Sequence, residues 1–204
     1  MATVITTGST WISAVRQVPS VLSVRHKNVT PAWAGPEPGH EERHPMTTII
    51  TAALTPRQLA GEVRKRAAVP REWMSHVRLN PDERWYERLH ADERHEVWLI
   101  SWLPGQGTGF HDHGGSAGAF GVVWGTLEEH QAGTPGHLRP VTAAPVSAGG
   151  VRAFGREYIH DVRNTSGAVA VSVHAYSPPL HEMTRYDLTG AGLVVLNTES
   201  AAQW

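Results

Sequence analysis

Short runs of apolar residues, separated by glycine and proline, make up most of the chain after residue 96. β-Branched and aromatic residues are frequent in these runs, which is typical of strands joined by tight turns. We predict strands at residues 97–103, 119–124, 126–130, 138–144, 157–162, 168–176 and 193–197. Many short strands with tight turns favour a closed barrel or a sandwich over a parallel sheet.

A helical pattern precedes these strands. Thr55 can cap a helix, and Pro56 suits the first helical position. The turns that follow share one apolar face, which is formed by Leu59, Val63 and Ala67. Pro70 ends this helix, and a second short helical segment is expected over residues 71–77. The sequence therefore predicts a mainly β domain with short N-terminal helices.

The first 45 residues have a different texture. Residues 31–45 are rich in proline and glycine and have no hydrophobic period, and no secretory signal pattern is present. We expect residues 1–45 to be a disordered or mis-annotated extension ahead of a second start at Met46. Residues 46–204 are expected to form a single domain.

Composition excludes several kinds of partner. The chain of 204 residues carries 18 basic and 19 acidic residues and no cysteine. This balance gives no reason to expect nucleic acid, and without an apolar run of about 18 residues no membrane-spanning helix is expected. The lack of cysteine excludes disulfides, thiolate ligands and a cysteine nucleophile from this chain. We expect a soluble, cytoplasmic monomer.

Histidine is the unusual component, with 13 copies in the chain. His111 and His113 lie two residues apart, so on an extended chain both imidazoles point to the same face and can reach one metal ion. At this histidine content roughly one such pair arises by chance, and two ordinary strand histidines near a turn would look the same.

The surroundings of the pair carry a family resemblance. Residues 105–125, with glycine at both ends, resemble the first motif of the cupin superfamily. Gly149, His160 and Asn164 resemble the second motif, while Gly118 stands where cupins usually have an acidic ligand. The resemblance implies a cupin-type (jelly-roll) β-barrel with three neutral imidazole ligands, His111, His113 and His160. Such a set can hold iron, zinc, copper or nickel.

A later strand narrows the resemblance. Ser172, His174 and Tyr176 alternate with valine and alanine, which is typical of a strand that lines a cavity or of a half-exposed strand. Followed by Ser-Pro-Pro, this pattern resembles the cysteine dioxygenase family. The resemblance implies that Ser172 and His174 hold the Tyr176 hydroxyl towards the metal-bound substrate.

A fourth match lies upstream. The family places an arginine shortly after a tyrosine to bind the substrate carboxylate, and Tyr86 and Arg88 match that pattern. The resemblance implies that Tyr86, Arg88 and Tyr176 contact the substrate. Arginine suits this role because its planar guanidinium meets a carboxylate at two points. Neighbouring acidic residues leave a solvated helical face as the alternative. Gly118 resembles the bacterial branch of the family, and without cysteine Tyr176 cannot carry a thioether crosslink.

These four segments together imply an iron-dependent thiol dioxygenase. The expected reaction converts L-cysteine and O2 to cysteine sulfinic acid, with Fe(II) on His111, His113 and His160. One alternative is the same chemistry on 3-mercaptopropionate or another small thiol. A second alternative, of another class, is a cupin that binds a metal or small ligand without catalysis.

Overall fold

The fold contains one α-helix, eleven strands and three short 3₁₀ turns within residues 52–136 and 140–203, the part of the chain that the computed structural model describes. The helix α1 is Pro56–Ala67, and the 3₁₀ turns are Pro70–Glu72, Met74–His76 and Ala201–Gln203. The strands β1 to β11 are Trp85–Ala91, Glu96–Trp102, Phe110–His111, Ala117–Trp124, Thr126–Gln131, Thr142–Ser147, Val151–Phe154, His160–Arg163, Ala170–Ser177, Glu182–Thr189 and Gly192–Ser200. The extension expected over residues 1–45 lies outside the described residues.

The strands form two antiparallel sheets. One has the order β1-β2-β9-β4-β7, and the other has the order β11-β10-β3-β8-β5-β6. Side chains from both sheets meet in one core cluster that includes Trp102, Phe120, Leu127 and Val162. The expected mainly β architecture of jelly-roll type, with a short helical segment at its start, is confirmed.

The helix forms where its capping signal predicts. The Thr55 hydroxyl accepts the Gln58 backbone N–H, and the Gln58 side chain accepts the Thr55 backbone N–H, which completes a capping box. Leu59 and Val63 are fully buried and pack on the outer face of the first sheet. The second short helical segment, expected over residues 71–77, is present as two 3₁₀ turns at Pro70–Glu72 and Met74–His76.

Four strands were not predicted: β1, β3, β7 and β10. β1 and β10 carry charged side chains on partly exposed positions, so their hydrophobic alternation is weak. β3 and β7 span only two and four residues, which is too short for a periodic signal. The strand predicted at 157–162 begins later than expected, at His160. Residues 138 and 139 of the strand predicted at 138–144 lie outside the described residues, and β6 begins at Thr142.

Strand β9 forms the part of the barrel wall that carries the predicted site residues Ser172, His174 and Tyr176. It pairs with β2 on one side and β4 on the other, and all eight of its residues are buried. Val171 and Val173 pack against the helix side of the sheet. Because successive side chains alternate, Ser172, His174 and Tyr176 share the opposite face, which is the barrel interior.

Candidate metal centre and active site

Three histidines meet inside the barrel although the third lies far along the chain. The register pairs His111 on β3 with His160 on β8, and His113 follows two residues after His111. One ring nitrogen from each residue lies within 4.8 Å of the others. All three side chains are buried. This is a compact set of imidazole donors of the kind that binds a transition metal.

Outer hydrogen bonds orient two of these rings. His111 Nδ1 lies 2.9 Å from the Gly109 carbonyl oxygen, and His160 Nδ1 lies 2.9 Å from Glu129 Oε1. Both partners are acceptors, so each Nδ1 carries the proton and each Nε2 keeps its lone pair for the centre. The tautomers are therefore fixed in the form that binds a metal.

The third ring has no such partner. Both nitrogens of His113 are buried and make no hydrogen bond. The Tyr158 backbone lies near enough to favour the protonated ring, but the contact does not have hydrogen-bond geometry. The ring is stacked between Phe154 and Tyr176, with centroid separations of 4.7 and 5.2 Å. A buried polar group without a partner is unfavourable, and a metal ion at the centre would supply the missing interaction.

The electrostatic environment keeps two of the rings, His111 and His113, neutral. Burial, with His160 as the next contribution, lowers the pKa of both His111 and His113 well below the ordinary histidine value. Only a neutral imidazole can donate to a metal. The folded protein thus prepares these two donors in their binding form at neutral pH.

The position that carries a carboxylate ligand in other cupins has no room for one here. A Cβ atom on Gly118 would lie 2.4 Å from Phe154 ring carbons and 3.0 Å from Tyr176 Cδ1. A side chain at position 118 would therefore require the Phe154 ring to move. With glycine there, the donors that the protein gathers at this centre are the three imidazoles.

A chain of hydrogen bonds runs along β9. The Trp102 indole N–H donates to Ser172 Oγ over 2.8 Å, and Ser172 Oγ lies 2.8 Å from His174 Nε2. His174 Nδ1 lies 3.2 Å from the Tyr176 hydroxyl. The three residues singled out in the sequence therefore do form one linked unit, and Trp102 extends it by one member that sequence reasoning missed.

The direction of this chain follows from the donors. An indole N–H can only donate, so Ser172 accepts from Trp102 and its own proton goes to His174 Nε2. His174 then donates from Nδ1 to the Tyr176 oxygen, which frees the tyrosine proton for the cavity. The reverse direction would leave the buried Ser172 proton without an acceptor.

Burial sets the charge state of the last two members. It lowers the pKa of His174 to about 3, with His160 and Arg84 adding to the effect. Burial also raises the pKa of Tyr176 above its ordinary value, and the Glu96 carboxylate adds to this. Tyr176 is therefore a neutral hydroxyl donor at physiological pH.

A cavity of about 510 Å³ lies beside these residues. It is lined by His111, His160, His174 and Tyr176, and His113 is not among its lining residues. Tyr86, expected as a substrate contact, also lines this cavity. The volume suits a small molecule.

The arginines that line the cavity are Arg84 and Arg185, whereas the sequence predicted Arg88. Arg84 lines the cavity and lies over the Trp102 ring at 5.2 Å, and within the described chain it makes no ion pair. Burial lowers the pKa of Arg84, with Arg185 adding to the effect, yet a guanidinium stays charged at neutral pH. Arg185, also at the cavity, is already paired through two bonds with Glu199.

Arg88 is not among the cavity-lining residues. Its side chain is 55% exposed, and Nη1 lies 3.6 Å from Oε2 of the buried Glu96. It also lies over the Trp98 ring at 5.4 Å. The carboxylate-binding role of Arg88 thus stays a prediction, and Arg84 is a competitor for it.

A second group of possible metal donors lies in the β1–β2 hairpin. His90 and His95 each contact the Asp92 carboxylate, at 3.2 and 3.1 Å. The same carboxylate accepts the backbone N–H groups of Arg94 and His95, as in an Asx turn. These hydrogen bonds satisfy the group internally, and Asp92 is 44% exposed.

Sequence reasoning also missed Glu129 behind His160. Strand β5 buries Leu127 and Glu129 on one face and leaves Glu128 and His130 partly exposed. A carboxylate in phase with a core leucine was the available signal. Its pairing with a histidine 31 residues away depends on the register of β5 and β8.

A three-histidine centre in a jelly-roll barrel defines a metal-binding protein of the cupin class. Residues 57–189 match the sequence pattern of a protein family described as cysteine dioxygenase type I. The match covers well over half of the chain. The protein belongs to this family and is therefore an oxidoreductase of cupin fold.

Three solved structures with a similar backbone fold come from different kinds of protein. The TT1209 protein from Thermus thermophilus is 23% identical, over 52% of this chain and 93% of its own, with a TM-score of 0.46. An uncharacterized protein with a double-stranded β-helix domain from Klebsiella pneumoniae is 18% identical, over 61% and 93%, with a TM-score of 0.45. An oxalate oxidase in complex with glycolate is 17% identical, over 48% and 52%, with a TM-score of 0.42.

A membrane-spanning helix was not expected. Among the described residues, none of the helices is both long and apolar enough to cross a bilayer.

Proposed function

We propose that the protein is an iron-dependent thiol dioxygenase that converts L-cysteine and O2 to cysteine sulfinic acid. The observation that carries the proposal is one cavity lined by two members of the buried histidine triad, His111 and His160, and by Tyr176, whose hydroxyl oxygen is held by His174. A member of the cysteine dioxygenase type I family with this arrangement has the parts that the reaction needs.

The residues present fit a resident iron ion. His111, His113 and His160 would hold it, and the two unpartnered nitrogens of His113 favour a metal at this place. Imidazole is a suitable donor for Fe(II), and three protein donors leave coordination positions free. Bound Fe(II) supplies a Lewis acid that lowers the thiol pKa and electrons that activate dioxygen.

The cavity offers two candidates for the substrate carboxylate. Arg88 is the residue that the family resemblance implies, but it is engaged by Glu96. Arg84 is cationic, lines the cavity and has no carboxylate partner in the described chain. We therefore propose that Arg84 binds the carboxylate, with Arg88 as the alternative. Either residue would orient the substrate sulfur towards the centre.

Tyr176 would act by donating its free proton. Its hydroxyl oxygen is held by His174, and its high pKa keeps the proton in place at neutral pH. A hydroxyl in this position can hydrogen-bond an anionic oxygen or sulfur in the cavity. Tyr86, at the same cavity, would contact the substrate as well.

The proposed reaction balances without a further reductant. Both oxygen atoms of O2 are transferred to the thiol sulfur, which loses four electrons while O2 gains four. The thiol hydrogen remains as the acidic proton of the sulfinic acid. Only the thiol and O2 are consumed.

The test is oxygen uptake by the iron-loaded protein with L-cysteine and with 3-mercaptopropionate, with the products identified by mass. A gain of two oxygen atoms on cysteine, at one O2 per product, is the expected result. Turnover of 3-mercaptopropionate alone would keep the chemistry and change the substrate. No uptake from protein that holds iron would favour a non-catalytic metal-binding cupin.

A further inference from the structure

Glu129 is a buried carboxylate directly behind a candidate metal ligand. It is 6% exposed on strand β5, and its Oε1 accepts the His160 Nδ1 proton over 2.9 Å. The Tyr158 hydroxyl donates to the same oxygen over 3.1 Å. Arg152 Nε lies 3.4 Å from the other oxygen, Oε2.

This carboxylate makes the three histidines unequal. The outer nitrogen of His111 contacts only a neutral backbone carbonyl, and His113 has no outer partner. A carboxylate that accepts the outer N–H of an imidazole increases electron density at the inner nitrogen and so strengthens its bond to a metal. His160 is the only one of the three with such a partner.

The carboxylate also compensates for a missing charge. Glycine stands at position 118, where a side chain would require the Phe154 ring to move, so the donor set itself is neutral. Three neutral donors leave the full charge of a divalent ion uncompensated in a buried site, which is unfavourable. The Glu129 carboxylate, which is hydrogen-bonded to Nδ1 of His160, provides negative charge through the imidazole ring.

We propose that Glu129 is a positioning residue that, through His160, supplies the metal centre with the anionic character its ligands lack. Arg152 opposes this effect because its positive charge attracts the other oxygen of the same carboxylate. This inference rests on the metal centre of the proposed function. It assigns the metal affinity to a residue outside the donor set.

Co(II) titration of the metal-free protein tests the inference without turnover. Glu129→Gln keeps the shape of the side chain and removes its charge, so we expect the Co(II) Kd to rise about ten- to a hundredfold. The visible absorption bands of the bound Co(II) should shift as well. Glu128→Gln is the matched control. Glu128 lies on the same strand, and its Oε1 is 2.6 Å from Nε2 of His130, a histidine outside the proposed ligand set. The Kd of this control variant should stay within about twofold of wild type.

Arg152→Gln gives a readout of opposite sign. Arg152 is 40% exposed, so this variant should fold, and removing its charge should tighten Co(II) binding by about two- to fivefold. A purely structural role for Glu129 would not produce opposite effects from the two variants. Thermal unfolding of each metal-free variant checks that the fold is intact.

The inference is overturned if Glu129→Gln binds Co(II) as tightly as wild type with unchanged bands. It is equally overturned if Arg152→Gln weakens binding. A wild-type protein that binds no Co(II) and no iron would instead refute the metal centre and the proposed function together. Wild-type turnover of cysteine combined with an unchanged Glu129→Gln affinity would refute this inference alone.

Discussion

The barrel interior and the β1–β2 hairpin both gather histidine and arginine, and they differ in which of these side chains have partners. In the hairpin, His90 and His95 bond to Asp92, and Arg88 pairs with Glu96. Each of these three side chains has a carboxylate beside it. Arg94 is the exception in the hairpin, because its buried Nε has no hydrogen-bond partner.

The interior leaves capacity unused. His113 has two buried nitrogens without partners, and Arg84 lines the cavity without an ion pair in the described chain. Tyr176 directs a free proton into the same space. A buried polar group without a partner is unfavourable for folding, so the two unpartnered nitrogens of His113 mark it as a group available for a ligand. The two regions are alike in composition. They differ in which of their polar groups have hydrogen-bond or ion-pair partners within the protein.

The largest expected effect is on metal affinity in the interior. His113→Ala removes the donor with no other partner, so the Co(II) Kd should rise by more than about a hundredfold, beyond the usual loss from an outer partner. Equilibrium titration monitored by visible absorption measures it. An affinity unchanged by His113→Ala would break the distinction between the two regions.

The two arginines test the comparison on substrate binding. Arg84→Gln removes an unpaired guanidinium, so the KM for L-cysteine should rise about ten- to a hundredfold, as for loss of charged hydrogen bonds, with a smaller change in kcat. Arg88→Gln should change KM by less than about threefold because Glu96 already engages Arg88. Steady-state oxygen uptake measures both variants. The reverse pattern would return the carboxylate role to Arg88.

The buried His174 predicts a pH dependence of stability. Its folded pKa of about 3 lies below the unfolded value of about 6.5, so the unfolded state binds the proton first as pH falls. Its stabilising contribution is complete above pH 6.5 and is lost between pH 6.5 and 3. From pH 7 to 5 it should lower the free energy of unfolding by about 2 kcal/mol.

Urea unfolding of metal-free protein at the two pH values measures this change. His111 and His113 contribute in the same direction, so the comparison variant is His174→Gln. That variant should lose the part of the pH dependence that belongs to His174. An equal pH dependence in both proteins would contradict the assignment.

A smaller effect is expected from the start of the β9 hydrogen-bond chain. Trp102→Phe removes the N–H that fixes the Ser172 hydroxyl, so the inward direction of the Tyr176 proton is no longer enforced, and kcat should fall about tenfold. Trp73→Phe is the control, because the Trp73 indole N–H is buried without a partner in the core cluster on the helix side, and Trp73 does not line the cavity. Equal losses in both variants would indicate a packing effect only.

The smallest effect is expected in the hairpin. His95→Ala removes a histidine whose ring is bonded to Asp92, and it should leave the Co(II) affinity of the interior and the turnover unchanged within about twofold. A clear loss of bound Co(II) in this variant would show that the hairpin group is itself a metal site.

Much of the candidate site was accessible from sequence because its parts are locally spaced. His111 and His113, and likewise Ser172, His174 and Tyr176, lie two residues apart on extended chain. A period of two places such residues on one face whatever the rest of the fold does. The helix start at Thr55 was equally local, since a capping box needs only four consecutive residues.

The remaining features depended on partners distant in sequence. Positions 84, 86 and 88 have the same parity, so alternation could not tell Arg84 from Arg88. The tertiary structure separates their surroundings, because β2 brings the buried Glu96 carboxylate to Arg88 whereas Arg84 lines the cavity. Glu129 became a neighbour of His160 only through the pairing of β5 with β8.

The sequence by itself thus determined which side chains could act, because strand parity and capping are local properties of the backbone. The tertiary structure decided which of them have their hydrogen bonds and charges satisfied within the protein. That outcome depends on sheet register and burial, which join residues that are far apart in the chain.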